Sequence, residues 1–165
     1  MIPEMIASAY LSLGTSGTQG HSESAHFVNE KIKHSQQELR KPEFYFSALK
    51  KVFIDLKNLV SENSQKGWDG YHAEPILIET YYRAVAFLET LPSYIMAPTV
   101  GAEPDGHITF EWYHSPHRVL SVSVSPEGEL HYAALLGPNK SYGTEFFFTE
   151  TPPAILDLIR RVDAS

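Results

Sequence analysis

Histidine and carboxylate side chains gather in the second half of the chain, where they could bind a metal ion. His114 and His117 lie three residues apart in one predicted turn, and Glu111 precedes them. Imidazole and carboxylate groups together are a common ligand set for divalent metals. Neither a His-Glu-x-x-His motif nor a strongly spaced carboxylate cluster accompanies them, however. The favoured interpretation of His114 and His117 is therefore exposed polar turn residues, with metal ligation as the alternative.

A serine, a histidine and a glutamate on adjacent predicted strands suggest a second chemistry, nucleophilic hydrolysis. The predicted register places Glu103, His107, Ser123 and His131 on the sheet face opposite the core. On that face Ser123 lies between Thr109 and His131, and Glu111 lies beside Ser121. A hydrolytic triad also needs a strained turn for its nucleophile, an oxyanion hole and a pocket that excludes water. A flat sheet face supplies none of these, and alternating Ser and Thr residues are typical of a solvated face. We therefore assign no catalytic residue and keep Glu111, Ser123 and His131 as candidate binding residues.

A turn rich in aromatic and polar residues occupies positions 68–75. Two aromatic rings, a carboxylate and an imidazole in one loop could hold a ligand, because binding residues are often carried by loops. Local geometry explains the same residues: Trp68 would fill a gap between two helices, Gly70 would take a positive φ, and Pro75 would begin a helix. The geometric interpretation is favoured. The candidate binding residues of this turn are Trp68, Asp69, Tyr71 and His72.

A β-meander is predicted after Pro98, where the apolar period changes from 3.6 to 2. Turn signals at 103–106, 114–117 and 125–128 separate the alternating runs. Pairing the runs across these turns places Val124 opposite both Leu130 and Ile108. All three pairings put apolar residues on one face, whereas a slip of one residue would turn every side chain over. A fifth strand is predicted at about 144–149, with Phe146 and Phe148 on one side.

Three helices with apolar stripes are predicted to pack on one face of this sheet, over residues 43–66, 75–91 and 153–163. Lys66 and Gly67 are expected to close the first helix with a left-handed cap. The buried side of the second helix is predicted to consist of Ile78, Tyr81 or Tyr82, Val85, Leu88 and Leu91. The fold class is therefore α+β, with a four- to five-stranded antiparallel meander sheet and helices on one face.

An N-terminal arm, residues 1–42, is predicted to precede a single α+β domain of residues 43–165. The arm divides into an amphipathic helix at 2–13, a Gly/Ser-rich linker at 14–22 and a weak helix at 24–40. The apolar stripe of the first helix consists of Ile2, Met5, Ile6, Ala9, Tyr10 and Leu13. Such a stripe docks on its own domain, on a second copy or on a partner, so self-association or partner binding is expected through it.

A family resemblance rests on the turn Trp68-Asp69-Gly70-Tyr71-x-Ala73-x-Pro75 and on the meander that follows, with Gly106-x-Ile-x-Phe-Glu-Trp112 and Leu120-Ser-Val-Ser-Val-x-Pro-x-Gly128. The chain resembles a group of small, uncharacterised bacterial proteins over about residues 45–163. The resemblance implies a bacterial-type domain and no particular activity. A small residue is expected at the position of His72, so this residue departs from the group.

Composition excludes several function classes. The chain has 165 residues, no cysteine, and 20 acidic against 13 basic residues, for a net charge of −7. Disulfides, zinc ribbons and thiol nucleophiles are excluded, and the acidic balance argues against a nucleic-acid binder. No stretch reaches the roughly 18 apolar residues of a membrane span. A cytoplasmic location without membrane contact or cofactor is therefore expected.

The negative charge is concentrated in one part of the sequence. Residues 67–97 carry four acids and one base, and residues 98–150 carry seven acids and two bases. The favoured function is a protein-binding module of a bacterial system, such as an inhibitor, immunity or antitoxin-like partner, and the charge favours a basic partner. The alternative is a small hydrolase or metal-dependent enzyme that uses Glu111, His114, His117 and His131.

Overall fold

The computed structural model describes residues 47–164, which form an α+β fold with a five-stranded antiparallel sheet and, within this range, three helices. The elements are α1 (47–62), α2 (Ile78–Glu89), β1 (Thr99–Ala102), β2 (Ile108–Ser115), β3 (Arg118–Val124), β4 (Glu129–Leu136), β5 (Asn139–Phe146) and α3 (Pro153–Asp163). The predicted fold class is thus confirmed. The expected arm, with its helix at 2–13, its linker and its weak helix at 24–40, lies outside the described residues.

The sheet is a meander in which every strand pairs with its neighbour in sequence, in the order β1-β2-β3-β4-β5. Ala102 pairs with Ile108, Ile108 with Val124, and Val124 with Leu130, as the alternation of apolar residues predicted. The register is fixed because only this alignment turns the apolar residues of all four strands toward one core. The fully buried residues of that face are Ile108, Phe110, Leu120, Val122, Val124 and Leu130.

Strand β5 differs from its prediction at both ends. It runs from Asn139 to Phe146 rather than over 144–149, because a two-residue turn at 137–138 brings the chain straight back along β4. Gly137 permits this turn with a φ of 64°. The run from Asn139 to Gly143 has no apolar alternation, so its sequence carried no strand signal. Phe146 and Phe148 do share a side, where their exposed rings stack with centroids 6.3 Å apart.

The core is built between one face of the sheet and the helices. Phe87 of α2 packs against Phe110 of β2 at a centroid distance of 5.6 Å and edge-on against Phe147 at 5.8 Å. Trp112 is 1% exposed and donates its indole N–H to the carbonyl of Met96 at 2.7 Å, so its one polar group stays paired. Burying each large aromatic side chain contributes about 3 kcal/mol, which makes this aromatic group the centre of the fold.

Helix α2 begins at Ile78 rather than at Pro75, and residues 73–77 are not helical. Its predicted buried side is correct for Leu88 and Leu91 and wrong for Ile78, which is 52% exposed. The fully buried residues of α2 are Thr80, Ala84, Phe87 and Leu88. Apolar residues surround most of this helix, so periodicity alone did not define its inner face.

Helix α1 ends at residue 62, four residues before the predicted cap. Asn63 ends the helix instead, because its backbone N–H and its side-chain amide both donate to the carbonyl of Leu59, at 3.0 and 2.7 Å. Gly67 does take a positive φ of 75°, but it lies in the following turn. Val52 and Leu56 carry the buried side of α1.

Candidate functional site

The loop formed by residues 67–75 is held together by its own polar groups. The Asp69 carboxylate accepts the backbone N–H groups of Tyr71 at 2.8 Å and Ala73 at 3.2 Å. The hydrogen bond from Tyr71 is the main cause that lowers the pKa of Asp69 below its ordinary value of 3.8; burial opposes the shift, and Ala73 and the nearby His72 add to it. Gly67 donates to the carbonyl of Ala73 at 2.7 Å and closes the loop.

The four candidate binding residues of this loop do not converge on a common ligand position. Trp68 is half-buried and donates its indole N–H to the carbonyl of Glu74 at 3.0 Å. Tyr71 is 82% exposed and His72 is also exposed. Trp68 and Asp69 therefore shape the loop, while Tyr71 and His72 extend from it. Gly70 takes a φ of 82°, also as expected.

This loop packs against the turn between β1 and β2. The N–H of Glu74 donates to the carbonyl of Pro104 at 2.8 Å. Gly106 has a φ of 84°, and a Cβ atom at this position would lie 2.9 Å from the carbonyl oxygen of Pro75. Only glycine fits without displacing backbone, so the turn at 103–107 is fixed between the sheet and the loop.

We call the sheet surface that points away from the core residues the open face. Its side chains form rows across the strands, and the rows differ in polarity. One row across the strands is polar and contains Gly101, Thr109, Ser123, His131 and Thr144. The next row is mixed and contains Thr99, Glu111, Ser121, Ala133 and Tyr142. Beyond it, the apolar end contains Tyr113, Val119 and Leu135 together with Lys140, while the exposed Phe146 pairs with Glu129 at the polar end.

At the polar end, Glu103 is bound by two hydroxyl groups. Thr109 and Ser123 both donate to its Oε1 atom, and their own oxygens lie 3.0 Å apart. Each hydroxyl carries one hydrogen, so with a charged Glu103 both hydrogens point to the carboxylate and the contact between the hydroxyls is not a hydrogen bond. The carboxylate is thus held in one orientation through Oε1, and neither hydroxyl binds Oε2.

Two histidine rings stack beside this carboxylate. The rings of His107 and His131 have centroids 5.6 Å apart and an interplanar angle of 11°. Nδ1 of His107 lies 3.4 Å from Oδ2 of Asp105. His131 places Nδ1 at 2.9 Å from the hydroxyl of Thr144 and Nε2 at 3.5 Å from Oε2 of Glu129. Each ring therefore has its own carboxylate, and the stack fixes the ring planes.

The candidates for hydrolysis lie next to each other without forming a triad. Ser123 pairs with both Thr109 and His131 in the sheet, as predicted. Its hydroxyl donates to Glu103, however, while Nδ1 of His131 contacts Thr144 and Nε2 faces Glu129. The serine and the histidine are therefore not joined as nucleophile and base.

Metal-ligating atoms converge at one place among residues 47–164. One ligand atom from each of Glu103, Asp105 and His107 lies within 4.8 Å of the other two. The set proposed from the sequence, Glu111, His114, His117 and His131, does not form such a group. His114 and His117 are exposed at the opposite end of β2, where no side-chain hydrogen bond or ion pair involves them in the described part of the chain.

Sequence reasoning placed Glu103 and His107 on the open face but missed Asp105, which lies in the turn between them. The available signal was the spacing Glu103-x-Asp105-x-His107 around a Pro-Asp-Gly turn. Alternate residues next to a tight turn can direct their side chains to the same side. Thr144 was missed because the beginning of β5 was not recognised.

Comparisons of the chain with protein-family models, with curated proteins and with solved structures give no match. Within residues 47–164, no helix has both the length and the apolar character that spanning a membrane requires. The candidate site is therefore interpreted from its own chemistry.

Proposed function

We propose that this protein is a protein-binding module whose open face receives a basic segment of a partner protein. The observation that carries the proposal is the arrangement of this face, with carboxylates at its polar end and exposed tyrosine rings in its mixed row and at its apolar end. In a bacterial system, this protein would act in the cytoplasm as an inhibitor, an immunity protein or an antitoxin-like partner of the protein that it binds.

Charge supports a basic partner. Between residues 98 and 150, seven acids oppose two bases. Glu103, Asp105, Glu111 and Glu129 lie on the open face or at its polar edge, where Glu111 and Asp105 are exposed. A surface of one sign raises the rate of encounter with an oppositely charged partner, and the effect weakens as salt increases.

Exposed tyrosines in the mixed row and at the apolar end of the face supply anchors. Tyr142 is 83% exposed and Tyr113 is 54% exposed. A groove of about 320 Å³ beside Tyr142 is lined by Val119, Leu135 and Lys140, among other residues. Exposed tyrosines beside a shallow apolar groove are typical of interface centres, because aromatic side chains contribute much of the binding energy.

Affinity capture with matched variants tests the proposal. One variant changes the open face, with Glu111→Lys and Tyr142→Ala. The control makes the same two changes on α2, with Glu79→Lys and Tyr82→Ala, where Tyr82 is 64% exposed. We expect a captured protein to be lost only from the open-face variant, and its association rate with the purified chain to fall with added salt.

Two results would contradict this function. A captured protein that binds both variants equally would place the interface elsewhere. An association rate that does not change with salt would remove the argument for a basic partner.

The N-terminal arm is a separate part of the proposal. Ile2, Met5, Ile6, Tyr10 and Leu13 would mediate self-association or partner binding. The molecular mass of the full chain in solution is compared with that of a chain beginning at Pro42, with circular dichroism to verify that the shorter chain is folded. A lower mass per particle in the shorter chain, beyond the residues removed, is expected. An unchanged oligomeric state would exclude self-association through the arm.

A further inference from the structure

The turn between β1 and β2 gathers three side chains of the kinds that bind transition metals. Two carboxylates, Glu103 and Asp105, and the imidazole of His107 place one ligand atom each within 4.8 Å of the others. Three atoms bound to one ion at about 2.1 Å lie about 3.0 to 3.6 Å apart, so the set closes around an ion with side-chain shifts of up to about an ångström. Asp105 is exposed and free to make such a shift.

The ligand set is held in place from outside. Thr109 and Ser123 orient the Glu103 carboxylate through Oε1. The stacked ring of His131 supports the His107 ring, whose side chain is only 19% exposed. Contacts of this kind around metal ligands reduce the ordering that binding requires and strengthen binding.

The backbone that carries these side chains is also fixed. The turn is joined to the 67–75 loop by the hydrogen bond from Glu74 to Pro104, and Gly106 packs against Pro75. Within the turn, the N–H of Gly106 donates to the carbonyl of Glu103 at 3.0 Å. The backbone of the ligands is therefore positioned before an ion arrives.

We propose that Glu103, Asp105 and His107 bind one divalent first-row transition-metal ion, such as Zn²⁺, at the polar end of the open face. The imidazole ligand favours such an ion over Ca²⁺ and Mg²⁺, which prefer shells made entirely of oxygen. Three protein ligands leave further coordination positions for water or for a group of a ligand. This site stands independently of partner binding.

Calorimetric titration of the full chain with Zn²⁺ tests the site. We expect one ion per chain and a loss of affinity of more than about tenfold in each of Glu103→Gln, Asp105→Asn and His107→Ala. Asp105→Asn keeps the side-chain oxygen that accepts the N–H of His107, and Glu103→Gln keeps an acceptor for the two hydroxyls, so both variants preserve the turn. The matched control, His114→Ala with His117→Ala, removes two exposed histidines and is expected to bind as tightly as the original chain.

Histidine ring resonances provide a second readout. On addition of Zn²⁺ the ring signals of His107 are expected to shift, whereas those of His114 and His117 stay in place. Unchanged affinity in Glu103→Gln and Asp105→Asn, or loss of binding in the His114/His117 control, would overturn the proposal. Absence of stoichiometric Zn²⁺ binding would also overturn it, and displacement of Zn²⁺ by equimolar Mg²⁺ would overturn the proposed class of ion.

Discussion

The two turns at the ends of strand β2 both contain histidine, but they differ in how they are anchored. The turn at 103–107 is bound to the 67–75 loop and holds its side chains in a hydrogen-bonded cluster. The turn that contains His114 and His117 presents both imidazoles to solvent. A backbone hydrogen bond from Gly137 to the carbonyl of His117, at 2.7 Å, joins this turn to the turn between β4 and β5.

This difference shows that packing behind a turn, rather than its histidine content, makes it a site. Ligand-type side chains on an exposed turn must be ordered each time a ligand binds, which costs conformational entropy. At 103–107 most of that ordering is already present in the fold, because the backbone and two of the three ligands are supported. Variants that loosen one turn should therefore leave the other unaffected.

The largest expected effect comes from two glycines. Gly106 lies within the 103–107 turn, and Gly137 donates its N–H to the turn that contains His114 and His117. Gly106→Ala should lower the free energy of unfolding by about 3 kcal/mol, because a left-handed residue there also collides with the Pro75 carbonyl. Gly137→Ala should cost about 1 kcal/mol, since its φ is also positive but nothing lies within 4 Å of the added Cβ. Urea denaturation measures both. Equal costs would show that the packing against Pro75 does not constrain the turn.

The next effect tests the loop that supports the 103–107 turn. Trp68→Phe should cost about 1.5 kcal/mol, because it removes the indole hydrogen bond to Glu74 and part of the buried ring. Hydrogen exchange at the Glu74 amide, which donates to Pro104, should become faster. Tyr71→Phe is the control and should change neither quantity, since Tyr71 is 82% exposed. An unchanged rate of hydrogen exchange at Glu74 in Trp68→Phe would show that Trp68 does not stabilise the contact between the loop and the turn.

A smaller effect is expected from the hydroxyls that hold Glu103. Ser123→Ala should lower stability by about 1 kcal/mol, because one of two donors to a carboxylate is lost. His114→Ala with His117→Ala should change stability by less than about 0.5 kcal/mol, as expected for exposed side chains. Thermal unfolding of the two variants measures the contrast. A larger loss in the histidine variant would reverse the comparison between the turns.

The smallest effect concerns Asp69 and pH. Its folded pKa lies below 3.8 because the charged carboxylate accepts backbone N–H groups, chiefly that of Tyr71. The stability that this charge contributes is fully present above pH 3.8 and is lost as the pH falls through the lower folded pKa. The original chain should therefore be more stable than Asp69→Asn at neutral pH, and the difference should shrink in acid. A difference that does not change with pH would exclude the charge as its cause.

The sheet could be predicted from the sequence because its signal is local and redundant. Three turns separate runs with strict alternation, and each pairing checks the others, so Val124 had only one consistent position. The buried face of α2 could not be predicted in the same way. Ile78, Tyr81 and Val85 form an apolar stripe beside the face that is buried, which includes Thr80 and Ala84.

The candidate site was only partly predictable. Period-2 alternation placed Glu103, His107, Ser123 and His131 on one face, and the structure confirms that placement through the strand pairing. The contact of Gly106 with Pro75 joins segments about thirty residues apart, and neither segment contains a sequence pattern that predicts this contact. The His-x-x-His spacing attracted attention because spacing is visible in a sequence, whereas support from a distant loop is not.

The order of elements along the chain affects how the protein folds during synthesis. Each strand pairs with the strand made just before it, so the sheet can assemble from contacts that are short in sequence. Helix α3 follows all five strands, and its Ile155, Ile159 and Val162 are almost completely buried. A nascent chain therefore carries a paired sheet with an apolar surface while α3 is still inside the ribosome. During that interval the part of the sheet that α3 covers is open to chaperones and to aggregation, and emergence of α3 ends the exposure.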